Sequence, residues 1–185
     1  MTNETLKAIL DRRSIRAYTP EELTRDEIDT LIEVALASPS ANDHQPWHFS
    51  FVLDRERIRT ISDAAMDTFR QSGSQGMVDW LESLGGNIFY RAPLVVVLSS
   101  PKDKPSALDA GIAMENLVIA AQSMGLGSCY IGLARGAFGG ARANEMASLA
   151  GIPETHAYEI ALCIGRAAAT KEAHAMHPEK VTILE

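Results

Sequence analysis

Three guanidinium groups fall within five residues, at Arg12, Arg13 and Arg16, and the Ser14 hydroxyl lies between them. A phosphate dianion calls for such a set: arginine forks, a hydroxyl and backbone donors. Each charge-assisted hydrogen bond contributes about 1.5–3 kcal/mol, so two or three hold a phosphate firmly. The same charges also suit a solvated helix end, where cations complement the dipole. Two further segments carry polar groups in a usable pattern. Ser38-Pro39-Ser40-Ala41, running on to Gln45-Pro46-Trp47, is a proline-bounded polar loop. Gly125-Leu126-Gly127-Ser128 is a turn rich in accessible amides. Phosphate ligands, planar polar edges and backbone donors are the groups that a phosphorylated planar ligand needs.

Other chemistries fail on spacing. Gly125-Leu126-Gly127 resembles the start of a dinucleotide fingerprint, but it follows a helix pattern and lacks the third glycine. No Walker-type loop and no Gly-x-Ser-x-Gly elbow occurs. His44 and His48 are four apart but separated by Pro46, and His174 and His177 lie in a tail, so no metal site is expected. The net charge of −7 argues against a nucleic-acid partner. Cys129 and Cys163 sit in apolar runs without metal-type spacing and read as buried reduced thiols of a cytoplasmic protein. Residues 1–10 lack the apolar core of a signal peptide, and no apolar run approaches the roughly 20 residues of a membrane span.

The elements that must position these residues follow from periodicity. Residues 3–13 read as a helix capped by Thr2 or Asn3, with the cationic tract at its end. Thr24-Arg25-Asp26-Glu27 is a capping box that opens a second helix, which should stop near Ser38-Pro39. Trp47 to Leu53 alternates as a strand. Residues 55–70 and 76–84 read as helices, the second ended by Gly85-Gly86. Leu94 to Leu98 is continuously apolar, as suits a strand covered on both faces. Residues 107–124 form the longest helix, apolar nearly all round, hence central or packed in a subunit interface. Ser128 to Gly132 is a short strand, and 134–141, with three glycines, is a loop. A helix follows over 142–150. Ala157 to Ile164 is a strand with Tyr158, Ile160, Leu162 and Ile164 on one face, and Val181 to Leu184 forms a further edge strand. A length of 185 residues suits a single domain over 1–185, and the element order indicates an α+β or α/β layered fold.

In this order the segments resemble the nitroreductase family from end to end. The resemblance rests on Arg12 to Arg16, on Ser38 to Trp47, on Asp109-Ala110-Gly111-Ile112-Ala113-Met114-Glu115-Asn116-Leu117 through Ser128, and on Gly151-Ile152-Pro153-Glu154 with Ile164-Gly165. It implies an α+β fold with a central mixed, largely antiparallel sheet flanked by helices. It further implies an intertwined homodimer with flavin mononucleotide (FMN) at the subunit interface. The implied activity passes a hydride from NADH or NADPH to an electron-poor small-molecule acceptor (nitroaromatic, quinone or enone) by a ping-pong mechanism. Specialised relatives such as a dehydrogenase, a dehalogenase or a flavin-consuming enzyme stay open. So does a flavin-binding sensor or carrier without turnover.

By carry-over, Arg12, Arg13 and Ser14 hold phosphate and ribityl oxygens, and Arg16 lies near the pyrimidine edge. A cation there stabilises the negative charge of the reduced ring. Pro39, Ser40 and Ala41 approach the flavin of the other subunit, and Gln45 bonds within its loop or to the ring edge. Tyr130, Ile131, Gly132 and Leu133 match the stretch lying against the isoalloxazine, with the Gly132 amide as donor to flavin N5. Gly165 and Arg166 belong to the closing part. No catalytic side chain is implied, because the cofactor carries the chemistry. Three departures stand out. Asp43, beside Asn42, replaces the asparagine common in relatives. The late cation of the phosphate clamp is Arg166, Lys171 or His174. Residues 66–87, where relatives often shape the substrate mouth, match no family pattern.

Overall fold

The computed structural model describes residues 3–185. Helix α1 (Glu4–Asp11) starts where the Asn3 side chain accepts the Leu6 N–H at 2.9 Å; Thr2, the other expected cap, lies outside the described residues. Helix α2 (Arg25–Leu36) opens on the full capping box: Thr24 N–H donates to Glu27 at 2.8 Å and Glu27 N–H returns to Thr24 at 3.3 Å. Strand β1 (His48–Val52), helices α3 (Arg55–Gln71) and α4 (Gln75–Ser83), strand β2 (Leu94–Pro101) and helix α5 (Ala107–Ser123) follow. Strand β3 (Gly127–Tyr130), helices α6 (Arg135–Gly139) and α7 (Ala143–Leu149) and strand β4 (His156–Gly165) complete the set.

The sheet runs β1-β2-β4-β3, and every ladder is antiparallel. Among the described residues its one parallel feature is a bridge from Ser14 to Ser128. Central strand β2 explains the unbroken apolar run at 94–98. Val95 and Val97 pack against α3, α4, α6 and α7, while Leu94, Val96 and Leu98 pack against α2 and α5. With both faces covered, a strand has no solvent side to carry polar residues. The fold is the expected α+β layering with helices on both faces.

Three expectations need correction. Residues 134–141 form no loop: a 3-10 turn at Gly132–Ala134 leads directly into α6. The glycines there serve contact. A Cβ on Gly136 would stand 3.0 Å from the Phe69 ring, and one on Gly140 would stand 2.5 Å from the Thr68 hydroxyl. Strand β4 does not keep one face throughout. Leu98 pairs with Ile160 but Ser99 pairs with Tyr158, so Glu159 is extra and the strand bulges. Tyr158 therefore turns to the opposite face from Ile160, Leu162 and Ile164, stacking on Phe138 and donating to the Ile131 carbonyl at 3.0 Å. Val181 to Leu184 is not a strand, and its apolar side chains stand in solvent, Leu184 at 91% exposure.

Helix α5 buries Ala110, Ala113, Met114, Leu117, Val118 and Ala121. Its opposite face leaves Leu108 and Ile112 exposed, Leu108 at 78%.

Candidate cofactor site

The cationic tract leaves α1 in extended conformation, beginning at Arg12 (φ −58°, ψ 134°). It docks beside β3: Ile15 N–H donates to the Ser128 carbonyl at 2.9 Å, next to the Ser14–Ser128 bridge. The Ile15 side chain is buried over Gly127, where any Cβ would lie 3.0 Å from it. Glycine at 127 thus lets the tract approach the strand. Farther along, Thr19 N–H donates to the Arg166 carbonyl at 3.0 Å and Ala168 N–H to the Ala17 carbonyl at 2.9 Å. Two of the expected segments, the tract and the Gly/Ser turn, therefore meet.

A cavity of about 380 Å³ opens between them, lined by Arg13, Gly125, Gly127, Thr170 and Lys171 among others. Arg13 donates to the Leu10 and Arg12 carbonyls at 2.7 and 2.8 Å, so it also closes the end of α1, as the helix-dipole reading anticipates. Arg16 faces the Tyr90 phenol and the Cys129 thiol. Burial pushes the Cys129 thiol up, and Arg16, Lys171 and Arg12 pull it back. The Tyr90 phenol is raised by burial first and by Cys129 second, and Arg16 opposes both. The charges of Arg16, Lys171 and Arg12 are thus all felt at Cys129 of β3.

The tail candidates separate clearly. Lys171 lines the cavity with Arg13. Arg166 is engaged by two carboxylates, with Nη1 to Glu27 at 2.8 Å and Nε to Glu21 at 2.9 Å. That cluster fastens the end of β4 to α2. His174 is exposed. Gly165 is buried by packing: a Cβ there would stand 2.5 Å from the Pro93 ring and 3.1 Å from Tyr18.

Tyr130 donates to Glu115 of α5 at 2.8 Å, and burial first, then this bond, raises its phenol. Ile131 N–H donates to the Ala161 carbonyl at 2.8 Å. At Gly132 the chain is open, since nothing lies within 4 Å of where a Cβ would stand. Leu133, half-buried beside it, packs on the core formed with α3 and α6.

The polar loop stands apart from this group. It takes a 3-10 turn at Ala41–Asp43, with Asn42, Asp43 and Gln45 all left-handed at φ of 51°, 54° and 45°. Gln45 bonds within the loop: its N–H donates to Ser40 at 2.8 Å and its amide to Asp43 at 2.9 Å. Asp43 is therefore an acceptor for its own loop. The Ala41 N–H is held by Asp109, in the first turn of α5, while the cavity of Arg13 and Lys171 borders Gln122 and Gly125 at the other end. At 1.5 Å per residue those ends are about 20 Å apart. One chain brings Arg12, Arg13, Ser14 and Arg16 to Tyr130 and Lys171, but leaves Pro39, Ser40, Ala41, Asp43 and Gln45 at a distance.

Sequence reasoning missed Tyr90, Cys129, Asp109 and Asn116 as neighbours of these groups. Tyr90 and Arg91 are consecutive left-handed residues, at φ of 53° and 57°. Bulky residues rarely adopt that conformation, and nothing in their types announces it. Among the described residues no group of three or more His, Cys, Asp or Glu side chains could hold a metal ion, and no helix is long and apolar enough to cross a membrane. The donor set fits a phosphorylated planar group: cations and a hydroxyl at one end, an unobstructed glycine at the other.

Comparison with known proteins gives the chain's relatives. The model of the nitroreductase family matches residues 9–166. A putative NADH dehydrogenase/NAD(P)H nitroreductase of Archaeoglobus fulgidus is 30% identical over 135 residues, covering 70% of this chain and 68% of its own. An FMN reductase (NADPH) of Bacillus subtilis is 33% identical over 145 residues, covering 70% of this chain and 54% of its own. The crystal structure of a nitroreductase with bound FMN from Desulfitobacterium hafniense superposes with a TM-score of 0.94 at 29% identity, over 100% of both chains. From the docked arginine tract to the helical layers on its sheet, the chain belongs to the nitroreductase family.

Proposed function

We propose that the protein is an FMN-dependent oxidoreductase that passes a hydride from NADH or NADPH to an electron-poor acceptor, a nitroaromatic, quinone or enone, in two alternating half-reactions. The observation that carries this reading is the docking of the Arg12–Arg16 tract on β3, beside a cavity of about 380 Å³ that Arg13 and Lys171 line. When bound, FMN supplies the hydride chemistry, so no side chain of this protein is assigned as acid or base. Arg12, Arg13, Ser14 and Lys171 bind the phosphate and ribityl oxygens. Arg16 lies at the pyrimidine edge and offsets negative charge there. The open backbone at Gly132 offers its N–H to the ring, and Tyr130 to Leu133 form the wall behind it.

The proposed molecule is an intertwined homodimer, with Pro39, Ser40 and Ala41 reaching the partner's flavin. Three features favour it: the separation of loop and cations along α5, the exposed Leu108 and Ile112, and an apolar tail outside the core. A groove of about 540 Å³, walled by Ile32, Trp47, Phe49 and Phe51 along edge strand β1, offers such a tail a seat. The two free buried cysteines suit a reducing, cytoplasmic setting.

Anaerobic titration of the yellow protein with NADH and with NADPH, followed by a panel of acceptors, tests the reading. Bleaching by a nucleotide and recovery on adding acceptor are expected. A protein that takes up no added FMN would refute it. Arg16→Ala should weaken FMN binding and slow reduction, and unchanged values for both would remove the role given to Arg16.

A further inference from the structure

The loop at 38–45 holds three left-handed residues within four positions. Asn42, Asp43 and Gln45 are left-handed without being glycine. Such backbone persists only where its surroundings fix it. The internal bonds of the loop, from Gln45 to Ser40 and Asp43, join only residues inside it. Two long-range bonds anchor it to the rest of the molecule, and both come from α5. Asp109 accepts the Ala41 N–H at 3.0 Å, and the Asn116 amide donates to the Ser38 hydroxyl at 3.0 Å. Each grips one end of the same short segment.

The Asp109 anchor is itself braced. Residue Asp109 is 7% exposed. Its second oxygen accepts the Ser106 hydroxyl. Ser106 N–H donates to the Ser100 hydroxyl at 3.4 Å, and Ser100 donates to Glu159, the extra residue of the β4 bulge. The chain of bonds therefore runs from the sheet, through the start of α5, to the loop backbone. Position 109 requires a side chain with two polar atoms, one to accept the loop N–H and one to bond the Ser106 hydroxyl. A carboxylate does this with both oxygens.

We infer that Asp109 and Asn116 are positioning residues, which hold the Ser38–Gln45 loop in the shape required by the neighbouring subunit's flavin. This rests on the dimeric FMN reading above and adds to it the residues on which the loop's shape depends. Neither side chain hydrogen-bonds to Arg12, Arg13, Arg16 or Lys171 of its own chain; their loop partners are Ala41 and Ser38.

The test uses two tagged copies of the full chain, so that mixed dimers can be isolated. The Asp109→Ala homodimer should bind FMN about tenfold more weakly, the loss expected for one hydrogen bond to a charged group. Hydrogen exchange at residues 40–45 should quicken. Asp109→Asn keeps an acceptor for Ala41 and an amide for Ser106, and should bind FMN as the wild type does. Asn116→Ala, which leaves the helix start intact, should weaken binding in the same direction if Asp109→Ala folds poorly. A mixed dimer of Asp109→Ala with Arg12→Ala should recover one site per dimer at wild-type affinity. There the intact loop of one chain meets the intact cations of the other. A purely structural role for Asp109 would give no such recovery. Wild-type affinity in both Asp109→Ala and Asn116→Ala overturns the inference alone, and so does a mixed dimer no better than its parents. A wild-type chain that binds no FMN overturns the functional reading beneath it.

Discussion

Gly165 and Arg166 are neighbours with different tasks. Gly165 admits the Pro93 ring, and a methyl group there would stand 2.5 Å from it. The ring is rigid, so Gly165→Ala is expected to cost about 1–3 kcal/mol through overpacking, read as a lowered urea midpoint. Arg166 gives its charge to Glu27 and Glu21. The Arg166 bond holds the Glu27 carboxyl below the usual range. A carboxyl with a depressed folded value adds stability above its unfolded value, near pH 4, and loses it as pH falls through the folded one. Glu27→Gln should therefore destabilise the protein by about 1 kcal/mol at neutral pH. Chemical denaturation at a series of pH values should show that gap constant near neutrality and shrinking under acid.

Among the elements, α2 was legible to the residue because a capping box is a local bond between two side chains and two amides. The tract at 12–16 was legible for its charge, and Lys171 stood among three candidates because spacing alone carries no direction. Helix α6 was not legible. Glycine reads as flexibility in a sequence, but Gly136 and Gly140 are small so that α6 can rest on α3. A comparison of glycines checks this. Gly136→Val should lower stability by about 1–3 kcal/mol, since its Cβ meets Phe69 and Ala65. Gly139→Ala, with nothing within 4 Å, should leave stability unchanged or raise it by up to about 1 kcal/mol. The bulge at Glu159 was hidden for a different reason. Alternation continues in the residue types across it, while the register with β2 slips by one. Asp109 and Asn116 were visible as helix residues, but their partners lie 68 and 78 positions away.

For the whole molecule, exposed apolar side chains stand on α1, α4 and α5, in the groove beside β1 and in the tail, where Val181, Ile183 and Leu184 are exposed. A chain ending at residue 180 should sediment as a smaller species and retain less FMN. An unchanged mass would separate the tail from assembly. The position of α5 has a further consequence. With the loop backbone held at Asp109 and the cavity of Arg13 and Lys171 bordering Gln122, each proposed site is a bimolecular product. Occupancy then depends on how much protein is present as well as on how much flavin. Dilution should release the cofactor even at fixed free FMN, and added FMN should draw dissociated chains back together by mass action.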